Sequence, residues 1–301
     1  MMLNNFIFTI KFCNGCDVMK YRFVRFPGGK PKAVTFSYDD GIKSDLQLAD
    51  TLDEYNIKCT FNIPNTSIGG TGCLSENEIR NLHKNGHEIA VHCARHRAPG
   101  QIRPIEGIRD VMENRIALEN ILGCIIRGMA YPNSGITRME SGTSYEVIRN
   151  YLKSLDIAYA RTLGGGNDSF YIPEDWYAWM PTAHHNNPEI FNYIDKFTAF
   201  SPENMYCSSK GARLFYIWGH SYEFANENNW DRLKKICEKL ANRDDTYYAT
   251  NIEIYDYVNA YYSLMYSADE KMAYNPSLIK IWFECDGKLY CIEPGETIEL
   301  N

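Results

Sequence analysis

The feature that most constrains this chain is a repeated alternation of short apolar runs with helical patterns. Residues 33–38 (AVTFSY), 58–63, 87–91, 126–131, 158–163, 178–181, 213–218 and 247–249 are short strand-like runs. Helical segments separate most of them. Leu46, Leu48, Ala49, Leu52 and Tyr55 recur at three- and four-residue spacing, and residues 106–122, 144–153 and 230–240 are helical as well. Such spacing gives a helix one apolar stripe to bury. Ser75 with Glu78 has capping-box spacing, which predicts a helix to His83 closed by Asn85-Gly86. Strand–helix units in series pair as a parallel sheet with right-handed crossovers. Seven or eight of them predict an α/β barrel.

The texture changes after Tyr262. Residues 278–284, 288–292 and 297–300 are β-like runs divided by Asp286-Gly287 and Pro294-Gly295. Asp-Gly is a strong hairpin signal. The expected organisation is therefore a barrel over residues 19–262 and a small C-terminal β appendage over 263–301. Met19 opens a stretch, KYRFVRFPGGKPKAVTFSYDDG, that begins like a domain, so residues 1–18 read as an N-terminal extension. The apolar core of that extension, residues 6–10, is too short for a secretory signal and lacks a small-residue cleavage site. No segment approaches the roughly 20 apolar residues of a membrane span. A cytoplasmic protein with no membrane partner is expected.

The net charge of −7 argues against nucleic acid as a partner, because such a surface does not attract phosphates. Ten cysteines are scattered and only Cys13 and Cys16 form a C-x-x-C, so reduced thiols are expected rather than a disulfide framework or zinc ribbon. The 22 tyrosines fit a cleft that stacks on sugars, and they fit plain packing equally by composition.

Polar groups recur where the strands end. The first run delivers Asp39-Asp40-Gly41, the third His92 and His96, the fourth Arg127 and Tyr131-Pro132, and a later one Trp218-Gly219-His220. In a parallel barrel those ends converge on one face, which holds the site. His92 and His96 are four residues apart, so both imidazoles can reach one ion. Two histidines and one carboxylate leave coordination positions open, the pattern of a catalytic rather than a structural site. A divalent ion lowers the pKa of water from about 16 toward about 7 and polarises a carbonyl. A second carboxylate can then take a proton, and a histidine across the cleft can return one to the leaving group.

Taken in order, TFSYDDG, HCARH, GMAYPNSG and IWGHSYEF resemble the motifs of the polysaccharide deacetylase family (NodB homology, carbohydrate esterase family four). The resemblance runs from about Lys32 to about Val258. It implies a distorted (β/α)7 barrel and one divalent metal ion. Zinc is the first choice, and cobalt, nickel or manganese fit the same ligands. The implied substrate is an acetylated aminosugar glycan or oligosaccharide losing N-acetyl groups, or O-acetyl groups in some members. By the resemblance Asp39 is the base, Asp40, His92 and His96 hold the metal, His220 is the acid, and water activated by the ion is the nucleophile. Asn133 contributes its backbone N–H to the oxyanion. Tyr131 forms pocket wall, and Trp218 packs beneath His220 and shapes the acetate pocket.

The chain departs from the family pattern in two places. The arginine usual in the third motif falls at Ala130, and Arg127 is either its substitute or one half of an ordinary surface pair. The aspartate of the fourth motif, which orients the acid, is matched by composition at Asp175, while Glu223 offers another way to hold His220. His184 and His185 follow a further strand end and are candidates for substrate or a second ion. Gly164-Gly165-Gly166 is no phosphate loop, since no Lys-Ser/Thr follows it. Two other functions compete: an amidase on a small non-sugar C–N bond, such as a ureide or cyclic imide, and a carbohydrate-binding barrel without catalysis. The five residues Asp39, Asp40, His92, His96 and His220, all present, argue against the last.

Overall fold

The structure, a computed structural model, describes residues 21–164, 166–206 and 209–300. The expected N-terminal extension and its C-x-x-C pair lie outside the described residues. The described chain opens with β1 (Arg22–Arg25) and enters β2 (Lys32–Asp39), an eight-residue strand with every side chain buried. There follow α1 (Ser44–Glu54), β3 (Cys59–Ile63), α2 (Glu76–Lys84), β4 (Glu88–Val91), α3 (Pro104–Leu122), β5 (Gly128–Ala130), α4 (Tyr145–Ser154) and β6 (Tyr159–Arg161). The second half holds β7 (Ala183–His184), α5 (Ile190–Ala199), β8 (Arg213–Gly219), α6 (Ser221–Asn226), α7 (Trp230–Leu240), β9 (Thr246–Tyr248) and α8 (Asn251–Tyr262). The tail supplies β10 (Met265–Tyr266), β11 (Met272–Tyr274), β12 (Ile281–Cys285), β13 (Lys288–Ile292) and β14 (Thr297–Glu299).

Seven strands run β6-β5-β4-β3-β2-β8-β7 in one curled parallel sheet, and β9 joins it beside β2. This is the distorted (β/α)7 barrel. The distortion is visible at β2. On one side it pairs with β8 from Lys32 to Tyr38. On the other it pairs with β9 through Lys32–Val34 and with β3 through Phe36–Asp39. One strand thus serves two neighbours on one edge, and the barrel closes unevenly. Burial on both faces explains why these strands read as near-continuous apolar runs.

Local signals place the helices. The Ser75–Glu78 capping box is present at the start of α2, with Glu78 N–H on Ser75 Oγ and Ser75 N–H on the Glu78 carboxylate. A second box, Thr250 with Glu253, starts α8. Gly123 ends α3 in the left-handed region. The expected strand at 178–181 is a correction. Trp176–Ala178 is a 3-10 turn, Trp179 makes a single parallel bridge to Arg161, and the strand itself is Ala183–His184. Pro181 interrupts the run, since it has no N–H for a ladder.

The tail forms two small antiparallel sheets, β1-β12-β13 and β10-β11-β14. The β12–β13 hairpin turns at Asp286-Gly287, both with positive φ as the two-residue turn requires. Its inner face packs on α8. Tyr257 Oη donates to the Arg25 carbonyl at 2.6 Å and accepts the Trp282 N–H at 2.9 Å. The hydrophobic cluster of this region also takes in Tyr159, Trp179 and Tyr216, so the appendage is seated on the barrel's flank. No described helix is long and apolar enough to cross a membrane.

Candidate active site

The C-terminal ends of β2, β4, β6 and β8 meet at one mouth. Asp39 is the last residue of β2 and is 2% exposed. Asp40 follows with φ at 83°, a conformation an aspartate seldom adopts, and Asp40 N–H is tied to the Asn62 carbonyl of β3 at 3.0 Å. Cys93, His96 and Asn133 also have positive φ, between 51° and 57°. Non-glycine residues held this way cost on the order of 1 kcal/mol each and gather at functional sites. The sharp bend at Asp40 turns neighbouring carboxylates in different directions.

His92 and His96 both face Asp40. His96 Nε2 is 3.1 Å and His92 Nε2 3.6 Å from Asp40 Oδ1. These three donor atoms lie within 4.8 Å of one another, a set that fits one divalent ion with positions left open. The surroundings of His92 fit a ligand's role. Its backbone N–H is held by Asn114 Oδ1 of α3 at 2.8 Å, and its Nδ1 is 2.9 Å from the Ala130 carbonyl. A carbonyl partner places the ring proton on Nδ1 and leaves the Nε2 lone pair facing Asp40. Burial holds the His92 imidazole below its ordinary pKa, and so neutral, as a ligand must be. Burial alone would raise the Asp40 carboxyl, but the His96 contact and the surrounding imidazoles outweigh it and hold Asp40 below the usual range.

Asp39 borders the same point, its Oδ2 3.8 Å from His92 Nε2, and is held from the barrel side. Oδ1 accepts Asn62 Nδ2 at 2.8 Å, and Oδ2 accepts Arg161 Nη2 at 2.5 Å. Arg161 is fully buried at the end of β6, and its guanidinium lies 4.5 Å from the Trp218 ring centre. Arg161 thus makes the contact with Asp39 that the resemblance expects of the third-motif arginine. Ala130, where it is expected, pairs in register with Arg161 across β5 and β6. Neighbours in a parallel sheet project to the same face, so the cation is carried one strand over. The sequence signal was a lone arginine within the strand-like run at 158–163.

His220 caps α6 just beyond β8. Its Nε2 is 4.0 Å from Asp40 Oδ2, and its Nδ1 is 2.9 Å from Glu223 Oε1. Burial opposes its charge, but Glu223, Asp39 and Asp40 outweigh that and raise its pKa. Glu223 also meets His184 and His185, and those contacts with His220 draw its carboxyl far down against the effect of burial. A further buried carboxyl, Asp45 of α1, accepts Ser221 Oγ at 2.5 Å and Ile42 N–H at 3.0 Å, linking the loop after Asp40 to the residue after His220. Burial pushes Asp45 up to about 8. An Asp in a helix's first turn reads as a dipole partner, which hid it.

Three expected site residues are placed elsewhere. Tyr131 is a correction: its side chain is fully buried and its hydroxyl donates to the Tyr177 carbonyl at 2.9 Å, so it is core and not pocket wall. Arg127 forms a two-pronged pair with Asp256 of α8 and does not reach Asp39. Asp175 accepts Tyr177 N–H and Tyr145 Oη and makes no contact with His220. Asn133 lies over His96, its Nδ2 donating to the His96 carbonyl at 2.6 Å. Trp218 has its ring 5.9 Å from that of His220, and its indole N–H donates to the Gly164 carbonyl at 3.0 Å.

Residues 26–158 match the family model for polysaccharide deacetylase. That stretch holds Asp39, Asp40, His92 and His96. Among solved structures it is similar to a protein of Mycobacterium smegmatis described as a polysaccharide deacetylase, at 18% identity over 79% of this chain and 94% of that one, with a TM-score of 0.54. It is likewise similar to the carbohydrate esterase domain of a xylanase from the hindgut metagenome of Trinervitermes trinervoides, at 14% identity over 77% and 92% of the two chains, with a TM-score of 0.50. Both likenesses concern the fold. No curated protein matches the chain.

Proposed function

We propose that this protein is a metal-dependent hydrolase that removes acetyl groups from a carbohydrate, most simply N-acetyl groups of an aminosugar glycan or oligosaccharide. The observation that carries the reading is the convergence of Asp40, His92 and His96 on one point, with Asp39 and His220 on either side. Asp40, His92 and His96 would hold the ion. When bound, a divalent ion there acidifies water and polarises an acyl carbonyl.

The remaining chemistry belongs to the chain. Asp39 takes the proton of the attacking water, and Arg161 and Asn62 fix its carboxylate from the side away from substrate. His220 gives a proton to the leaving amine or alcohol from Nε2, while its Nδ1–H stays on Glu223. The Asn133 backbone N–H steadies the developing oxyanion. Trp218 and Tyr222 bound the mouth: Tyr222 is about one-third exposed, with its ring 5.1 Å from His220. An exposed aromatic there suits the apolar face of a sugar.

The test is an acetate-release screen on zinc-supplemented full-length protein, over N-acetylglucosamine oligomers, acetylated xylan and small amides. Release from an acetylated sugar, abolished by Asp39→Asn, supports the proposal. Cleavage of a ureide or cyclic imide with every acetylated sugar spared would establish the amidase reading instead. Tight glycan binding with no product would establish the binding barrel.

A further inference from the structure

Beside the first cluster lies a second of the same residue types. His184 Nε2 and His185 Nε2 stand 3.2 and 3.0 Å from Glu223 Oε2, and the three donor atoms lie within 4.8 Å of one another. By composition this is a second metal site. Its tautomers argue otherwise.

A ligating imidazole gives one nitrogen's lone pair to the ion and donates the other nitrogen's N–H to an acceptor. His92 follows this rule through the Ala130 carbonyl. His184 inverts it: its Nδ1 accepts the backbone N–H of Asn186 at 3.1 Å. The ring proton therefore sits on Nε2, the atom turned toward Glu223. His185 is fully buried and its Nδ1 has no hydrogen-bond partner. That nitrogen is pressed on Gly219, where a Cβ would come within 2.0 Å of it. A proton there would be stranded, whereas on Nε2 it lies beside a carboxylate. The 3.0 Å approach of His185 is off the axis of a good hydrogen bond, since its Nε2 has no partner by angle, so its contribution is that of a dipole near a charge. Burial drives the His185 imidazole down to about 4, which keeps it neutral.

Asn186 Nδ2 thus donates to Oε2 at 3.2 Å, and the Nε2–H groups of His184 and His185 lie beside the same oxygen at 3.2 and 3.0 Å. The other oxygen is left for His220. The rings have little room to turn. His185 is sandwiched between Tyr38 at 5.6 Å and Phe224 at 4.0 Å, and His184 stands edge-on to Trp218 at 4.8 Å.

We infer that His184, His185 and Asn186 form a donor cradle that fixes the Glu223 carboxylate, and that Glu223 so fixed sets the tautomer and direction of His220. The cluster is a positioning device and binds no second cation. It takes the place of the fourth-motif aspartate that Asp175 does not supply. The inference rests on His220 being the proton donor of the proposed function.

The experiment uses zinc-loaded full-length protein, with metal content, imidazole 15N shifts and steady-state kinetics measured on the same samples. Wild type is expected to hold one zinc and to show His220 protonated at Nδ1. His184→Ala should keep that zinc and lower kcat about 10-fold with KM nearly unchanged, the lower end of what such supporting groups contribute. Glu223→Ala should lower kcat about 100-fold and scatter the His220 tautomer, and Glu223→Gln, which can still accept, should recover the tautomer. A second zinc lost in His184→Ala overturns the inference. So does a His220 tautomer unmoved in Glu223→Ala, or a kcat unmoved in His184→Ala. The metal and NMR readouts need no turnover, so failure of the deacetylase reading is seen separately, as absence of product in wild type with the tautomer result intact.

Discussion

Replacing Arg161 by Met removes a buried charge while keeping most of the side chain's length. Asp39 is then left 2% exposed with Asn62 as its remaining hydrogen-bond donor. Breaking a buried ion pair from one side costs about 3–5 kcal/mol, because the surviving charge is uncompensated. Unfolding entropy near about 2.1 cal/mol/K per residue gives a chain of this length about 0.6 kcal/mol/K, so Tm should fall by roughly 5–8 °C. The loss should be larger in metal-free than in zinc-loaded protein, since a nearby dication partly replaces the missing charge. The double variant Arg161→Met with Asp39→Asn should recover much of the stability, with a coupling above about 2 kcal/mol, and none of the activity. Differential scanning calorimetry of the four proteins, metal-free and zinc-loaded, measures this. A single variant whose Tm moves by less than about 1 °C, or two losses that simply add, would refute the pairing argument.

Two further outcomes follow from residues away from the mouth. Arg127→Ala should change kcat less than about twofold, because its charge is spent on Asp256, and surface pairs contribute at most about 1 kcal/mol; steady-state kinetics on whichever substrate the screen finds decides it. Glu88 is buried, bonded to Thr60, Tyr159 and the Ile252 N–H, and burial raises it to about 7. Its folded pKa lies above its unfolded one, so its contribution to stability is full below about pH 4.5 and is lost as pH rises through about 7, by about 3 kcal/mol in all. Urea melts across pH 4.5–8 should show this decline in wild type and a flatter profile in Glu88→Gln.

Much of the barrel was legible because its strands are buried on both faces and its helices are striped, and these are local properties. The residues of the mouth were legible for a related reason: polar groups at successive strand ends have one face to share. What was hidden depends on which strands are neighbours. Arg161 stands across from Ala130 only because β5 pairs β6 in that register, and no spacing along the chain reports it. Arg127 was nearer in sequence and stands with α8 instead. Tyr131 follows β5, but which side of the sheet its ring takes is set by packing against Tyr177. Short α6 carries too few turns to show a stripe, and Glu223 was visible only as a carboxylate three residues beyond His220.

Everything proposed for the mouth depends on Asp40, His92 and His96 holding one divalent ion. The most direct test of this is metal content by mass spectrometry after zinc saturation and desalting of wild type, Asp39→Asn, Asp40→Ala and His92→Ala. One zinc per chain is expected in wild type and Asp39→Asn, and nearly none in Asp40→Ala and His92→Ala. A wild type that retains no zinc, or an Asp40→Ala and a His92→Ala that both retain it fully, would contradict it.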